Sequence, residues 1–119
     1  MIIICGLPNA GKTTYSKKYD NVIHTDSFFN RHYAIEEEVK KRIENNEEVC
    51  IEGLCHTAKF RKRLVELCSD NEPKICIWLN TPVEECLRRK GMHNHAIKVY
   101  KRVFEPPTLE EGWDEIIII

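Results

Sequence analysis

The chain has almost no excess charge of either sign: 18 Lys and Arg against 19 Asp and Glu leave a formal net charge of −1. That balance excludes a whole-molecule attraction to polyanions, so a nucleic-acid partner would have to meet a local basic patch. The cluster Lys59, Arg61, Lys62 and Arg63 has no interleaved aromatics and reads as a solvated helix face. No apolar stretch reaches the roughly 18 residues of a membrane span, and Met1 to Cys5 is too short for the apolar part of a secretory leader. A cytoplasmic protein is expected. The six cysteines include no C-x-x-C pair, and their spacing with His56, His93 and His95 matches no zinc-ligand pattern. Cys5, Cys50 and Cys76 fall in apolar runs where a reduced cysteine is a small hydrophobe, so free thiols are expected. Repeats, low-complexity tracts and linkers are also missing, and 119 residues suit one domain, 1–119, with a single core and trimmed loops.

What is present begins with Gly6-Leu7-Pro8-Asn9-Ala10-Gly11-Lys12-Thr13-Thr14, directly after the apolar run Ile2 to Cys5. This satisfies G-x-x-x-x-G-K-[ST], the phosphate-binding loop (P-loop) of many NTPases, with a strand before it and a helix after it. Gly6 and Gly11 can take backbone angles that a Cβ forbids, so the N–H groups of Pro8's neighbours Asn9, Ala10 and Gly11 can turn toward phosphate oxygens. Lys12 supplies a mobile charge for the β- and γ-phosphates, Thr13 a hydroxyl for Mg²⁺, and Thr13 and Thr14 open the helix at its positive end. A nucleoside triphosphate with Mg²⁺ is the expected ligand.

Strand-like and helix-like segments then alternate. Strands are expected at 2–5, 22–24, 49–51, 74–79 and 115–119, and helices at 11–19, 28–46, from Thr57 onward, 83–90 and 96–104. The pattern predicts a three-layer α/β/α fold of the P-loop NTPase type with a five-stranded parallel sheet. Thr57 is expected to cap the third helix, and Thr81-Pro82-Val83-Glu84 reads as a capping box. On the last helix Ile97, Tyr100, Val103 and Phe104 are expected to face inward.

Ligands in such sheets bind beyond the C-terminal ends of the strands, which selects few residues. Asp26, after the second strand, can align an acceptor hydroxyl and take its proton, or else cap the next helix. Glu52, after the third, can hold a water on Mg²⁺ or orient a basic residue, or serve as a structural carboxylate. Arg88, Arg89 and Lys90 precede Gly91, a plausible hinge, and suit a lid that brings arginine onto the transferring phosphoryl, with Arg89 ahead of Arg88. The same basic residues would be favoured at a helix C-terminus without any ligand.

The P-loop, Val22-Ile23-His24-Thr25-Asp26, Val49-Cys50-Ile51-Glu52 and above all Tyr100-Lys101-Arg102-Val103-Phe104-Glu105-Pro106-Pro107-Thr108-Leu109-Glu110-Glu111-Gly112-Trp113 resemble the 5′-hydroxyl polynucleotide kinase domain of polynucleotide kinase/phosphatases and related phage kinases. The resemblance covers nearly the whole chain. It implies that Lys12 and Thr13 bind ATP·Mg²⁺, that Asp26 is the general base for a DNA or RNA 5′-OH, and that Arg89 matches a lid arginine. It also implies a kinase without the phosphatase half, in a compact phage- or virus-like version. The sequence departs from that family at Glu52-Gly53-Leu54-Cys55-His56, where an Asp and an Asn/Thr-containing stretch are usual, and in its short lid.

A small-molecule kinase acting on a nucleoside, sugar or antibiotic fits the same scaffold and the near-neutral charge. A basic groove continuing past Asp26 would favour a nucleic-acid end, and a closed pocket a metabolite. A nucleotide-driven switch protein would have no use for an acceptor-aligning Asp26.

Overall fold

Strand β1 (Ile2–Gly6) runs through the middle of the sheet because it is apolar on both faces: Ile3 and Cys5 look to one side, Ile4 to the other, and all three are fully buried. The computed structural model describes residues 1–119. Around β1 lie β2 (Ile23–His24), β3 (Cys50–Glu52), β4 (Ile75–Leu79) and β5 (Glu115–Ile118), in the order β2-β3-β1-β4-β5 and parallel throughout. The predicted five-stranded α/β sheet is therefore present, with Ile3 opposite Ile51 on one side and Cys76 on the other.

Helices cover both faces. Ile3, Cys5, Ile51 and Cys76 pack against α2 (His32–Glu44) through Ile35 and Val39, and against α3 (Ala58–Glu66) through Phe60 and Leu64. On the opposite face Ile4, Cys50 and Ile77 meet Leu7 and Ala10 of the loop after β1, Cys86 of α4 (Val83–Arg88) and Ile97 of α5 (Asn94–Val103). All six cysteines are free, and burial pushes the Cys50 thiol up to about 11, in keeping with an inert core side chain. No helix is long and apolar enough to cross a membrane.

The expected boundaries shift in places that matter. Helix α1 covers only Lys12–Ser16, since the next amides, Lys17, Lys18 and Tyr19, bond three residues back and tighten the chain into a 3₁₀ exit. The second helix starts at His32, not at Phe28. Thr25–Phe28 form a 3₁₀ turn, and Phe29 and Asn30 follow with φ of 53° and 54°, left-handed values that no α-helix runs through. Thr57 caps α3 as expected, accepting from the Phe60 amide at 3.3 Å. Thr81 does not form the expected capping box: its hydroxyl donates to Ala10 O at 2.8 Å and Pro82 stands at the N-cap. On α5, Ile97, Tyr100 and Phe104 form the inward stripe, whereas Val103, six residues past Ile97, is rotated away and 46% exposed.

Arg61 is the largest correction. Lys59, Lys62 and Arg63 lie on the surface, but Arg61 is fully buried. Its guanidinium donates to Glu111 at 2.7 and 3.0 Å, to Cys55 O at 2.7 Å and to Glu105 O at 2.7 Å. Glu111 also accepts from Trp113 Nε1 and from the Thr108 amide, each at 3.0 Å. The tail segment that carried the family resemblance is thus the partner of a buried cation, tying α3 to the approach of β5.

Candidate active site

The loop from Gly6 to Gly11 crosses the C-terminal edge of the sheet where β1 meets β4. A Cβ on Gly6 would lie 2.7 Å from Leu79 O, so only glycine lets the loop leave β1 this close to β4. Gly11, at φ 102°, precedes α1. Lys12 reaches back over the loop and donates to Gly6 O at 3.0 Å and Leu7 O at 2.7 Å, leaving one ammonium hydrogen for an anion in the cleft. Burial lowers the Lys12 pKa, with the Glu52 charge acting the other way.

Beside it, Thr13 Oγ1 donates to Glu52 Oε1 at 3.3 Å, and Glu52 Oε2 is 3.0 Å from His24 Nδ1. Glu52 is buried at the end of β3, and its partners are side chains from two other elements. A hydroxyl and a carboxylate held together beside a lysine fit a hard cation such as Mg²⁺, which takes oxygen ligands. Asp26 is exposed on the cleft wall, with Oδ1 accepting from Asn30 at 3.4 Å. It does not cap α2, whose N-cap is Arg31.

Arg88 and Arg89 part company. Arg88 pairs with Glu85 on the surface and stays off the cleft wall, whereas Arg89 lies on it. Arg89 Nη1 donates to Asn9 O at 3.0 Å and Nε to Glu85 Oε1 at 3.0 Å. The segment after α4 is fastened to the loop by Asn9. Its amide nitrogen donates to Cys86 O at 3.2 Å and Arg89 O at 3.4 Å, and its oxygen accepts from the Met92 amide at 3.0 Å. The expected hinged lid is a short strap pinned to the phosphate loop. Asn9 itself has a φ of 66°, a left-handed value that asparagine tolerates.

These groups open onto one cleft of about 880 Å³. Pro8, Asn9, Ala10, Gly11, Lys12, Thr13, Thr14, Asp26, Glu52 and Arg89 all line it; Gly6 lies beneath the loop and Arg88 outside. The structure adds Tyr15, Lys18, Asn30, Leu54, Lys90, Met92 and Tyr100 to its walls. Of these only Lys90 was legible from a motif, since the others gain meaning from loop and helix packing. The structure brings together no group of three or more His, Cys, Asp or Glu side chains that could hold a metal ion.

A gluconokinase from Sinorhizobium meliloti 1021 superposes with a TM-score of 0.66 at 14% identity, over 99% of this chain and 80% of that one. APE1195 superposes with a TM-score of 0.71 at 19% identity, over 98% of this chain and 82% of that one. The chain shares their fold, three α/β/α layers around a five-stranded parallel sheet. No protein-family model and no curated sequence relative matches the chain. In this fold the cleft occupies the C-terminal edge of the parallel sheet, where the strand order reverses around β1.

Proposed function

We propose that this protein is an ATP-dependent phosphotransferase that moves the γ-phosphoryl group to a hydroxyl of a compact small molecule. The observation that carries the reading is the convergence of Lys12, Thr13, Glu52, Asp26 and Arg89 on one cleft. In the reaction the acceptor oxygen forms a bond to γ-phosphorus while the β,γ-bridging P–O bond breaks, and ADP leaves. Asp26 receives the acceptor proton; Lys12 and Arg89 balance charge on the phosphoryl oxygens. Thr13 and Glu52 would hold Mg²⁺, which neutralises charge on the β- and γ-phosphates.

A compact acceptor is supported by the surface past Asp26. The recess there is lined by Thr25, Asn30, His32, Ile35, Leu54, Cys55, His56, Phe60 and Tyr100, with no Lys or Arg among them. A polynucleotide end needs cations for its internucleotide phosphates. The second reading, transfer to a DNA or RNA 5′-OH, keeps the support of the Phe104–Trp113 segment, although Glu105, Glu111 and Trp113 of that segment are engaged in internal contacts. The deciding experiment follows labelled γ-phosphate from ATP·Mg²⁺ into a panel of neutral sugars and, separately, a 5′-OH oligonucleotide, with Lys12→Ala and Asp26→Asn beside the parent. Label in a small hydroxyl compound that both variants abolish supports the proposal. Label only in the oligonucleotide transfers support to the second reading.

A further inference from the structure

Beside the cleft lies a smaller recess of about 90 Å³, contiguous with it through Asn30, Leu54 and Tyr100. Thr25 lines this recess as a residue, with its Oγ1 buried and without a hydrogen-bond partner in the protein. A Cβ on Gly53 would fall 1.9 Å from Thr25 Oγ1, so glycine at that position leaves space for the threonine side chain itself. Across the recess His56 and Tyr100 meet edge to face with ring centres 5.7 Å apart, offering an imidazole and a phenol.

The electrical character of the recess is as telling as its shape. No Lys, Arg, Asp or Glu lines it. Arg61, the nearest buried cation, is consumed by Glu111, Cys55 O and Glu105 O. The acidic groups Glu36 and Glu105 lie close enough to act on His32 and His56. Burial first, then the charges of His32 and Arg61, lower the His56 pKa, so at neutral pH its ring both donates and accepts. An anionic group entering here would find no Lys or Arg on the walls, and of the two nearby carboxylates Glu36 is paired with Arg63.

We infer that this recess is the acceptor-recognition subsite and that it takes the uncharged, hydroxyl-bearing end of a small polyol or neutral sugar, with His56 and Tyr100 as its hydrogen-bonding partners. The inference rests on the proposed phosphotransferase reading and narrows its substrate class. The volume accommodates several water-sized groups, enough for a terminal diol and too little for a nucleobase. The opposite end of the same molecule would present its hydroxyl to Asp26 in the adjoining cleft. Carboxylate-bearing sugars and nucleic-acid ends are discriminated against by the same neutral lining.

The test is ADP release from ATP·Mg²⁺ with D-sorbitol, D-glucose, D-gluconate and a 5′-OH oligonucleotide as probes; sorbitol and gluconate share an open six-carbon chain and differ chiefly in charge at one end, and glucose adds a neutral ring. The expected result is a kcat/KM for a neutral polyol at least tenfold above that for gluconate or the oligonucleotide. Tyr100→Phe, which keeps the ring and deletes the hydroxyl, should raise the acceptor KM about tenfold with the KM for ATP unchanged, and His56→Phe should do the same. Equal or better use of gluconate or the oligonucleotide overturns the inference, as does an acceptor KM untouched by both substitutions. Binding and slow turnover of ATP with no stimulation by any neutral probe overturns it while leaving the nucleotide site standing. Failure to bind ATP·Mg²⁺ at all, measured by calorimetry, overturns the phosphotransferase reading itself.

Discussion

The side chain of Asn9 occupies the space that a Cβ on Gly91 would need: its Oδ1 lies 2.6 Å from that position, and Gly91 has a φ of 142°. The phosphate loop and the strap after α4 are therefore built for one another. Arg89 points at the loop because Asn9 holds the backbone on either side of it, at Cys86, Arg89 and Met92. In the proposed phosphotransferase the guanidinium would be positioned before any ligand arrives, which would lower the reorganisation its contribution to transfer requires.

Asn9→Ala should release the strap without disturbing the sheet. The expected outcome is a fall in kcat of about tenfold, with the KM for ATP nearly unchanged and amide hydrogen exchange faster across residues 89–92. Gly91→Ala should mimic it, since its methyl group displaces the Asn9 side chain. Unaltered kinetics in both variants would show that Arg89 does not depend on the clasp.

Glu111→Gln leaves Arg61 buried with its charge uncompensated. Loss of one member of a buried pair costs about 3–5 kcal/mol, a large share of a small domain's stability. Urea unfolding followed by Trp113 fluorescence reads this directly, since Trp113 Nε1 donates to Glu111. A midpoint shift worth less than about 1 kcal/mol would place the pair with ordinary surface ion pairs.

Stability should also fall in acid through Glu111. Burial by itself would push its carboxyl up, but hydrogen bonds from Arg61, Trp113 and the Thr108 amide outweigh this and hold it below the usual range. A carboxylate depressed in the folded state contributes fully above its unfolded pKa of about 4.3. That contribution is lost as pH falls through the lower folded value. Urea midpoints at pH 7, 5 and 3 should decline most steeply over the last interval in the parent and less so in Glu111→Gln.

Lys12 sets an alkaline limit. Burial lowers its pKa despite the opposing Glu52 charge, and phosphate binding needs the protonated form. The pH profile of kcat/KM for ATP should therefore begin to fall on the basic side below the ordinary lysine value of about 10.4. Lys12→Arg, which stays charged, should lose rate throughout but also lose that alkaline limb. A limb that persists in Lys12→Arg assigns it to another group.

Chelation of Mg²⁺ should abolish transfer, and Glu52→Gln should raise the Mg²⁺ concentration for half-maximal rate about tenfold. Titration of activity with MgCl₂ checks both. An unchanged Mg²⁺ midpoint would reduce Glu52 to a hydrogen-bond partner of Thr13 and His24.

By itself the sequence determined most of the elements and the parallel α/β class of the sheet. The apolar runs that became β1, β3 and β4, the stripe Ile35-Val39 and the Thr57 cap act through local periodicity and neighbouring residues, so the α/β fold, the phosphate loop and the strand-end positions of Asp26 and Glu52 were all legible. Tertiary structure alone decided the partners. Asn9 reads as an unremarkable loop residue until α4 and the strap fold over it, across more than 75 intervening residues in its bond to Cys86. Arg61 sits in a run of basic residues and is told apart from Lys59, Lys62 and Arg63 only because its side of α3 faces Glu111, 50 positions away. Thr81 gives its hydroxyl to Ala10 instead of its own helix, and Thr25 keeps a buried hydroxyl free beside Gly53. Each outcome depends on distant segments arriving at one point in space, and neither residue type nor spacing records which segments meet.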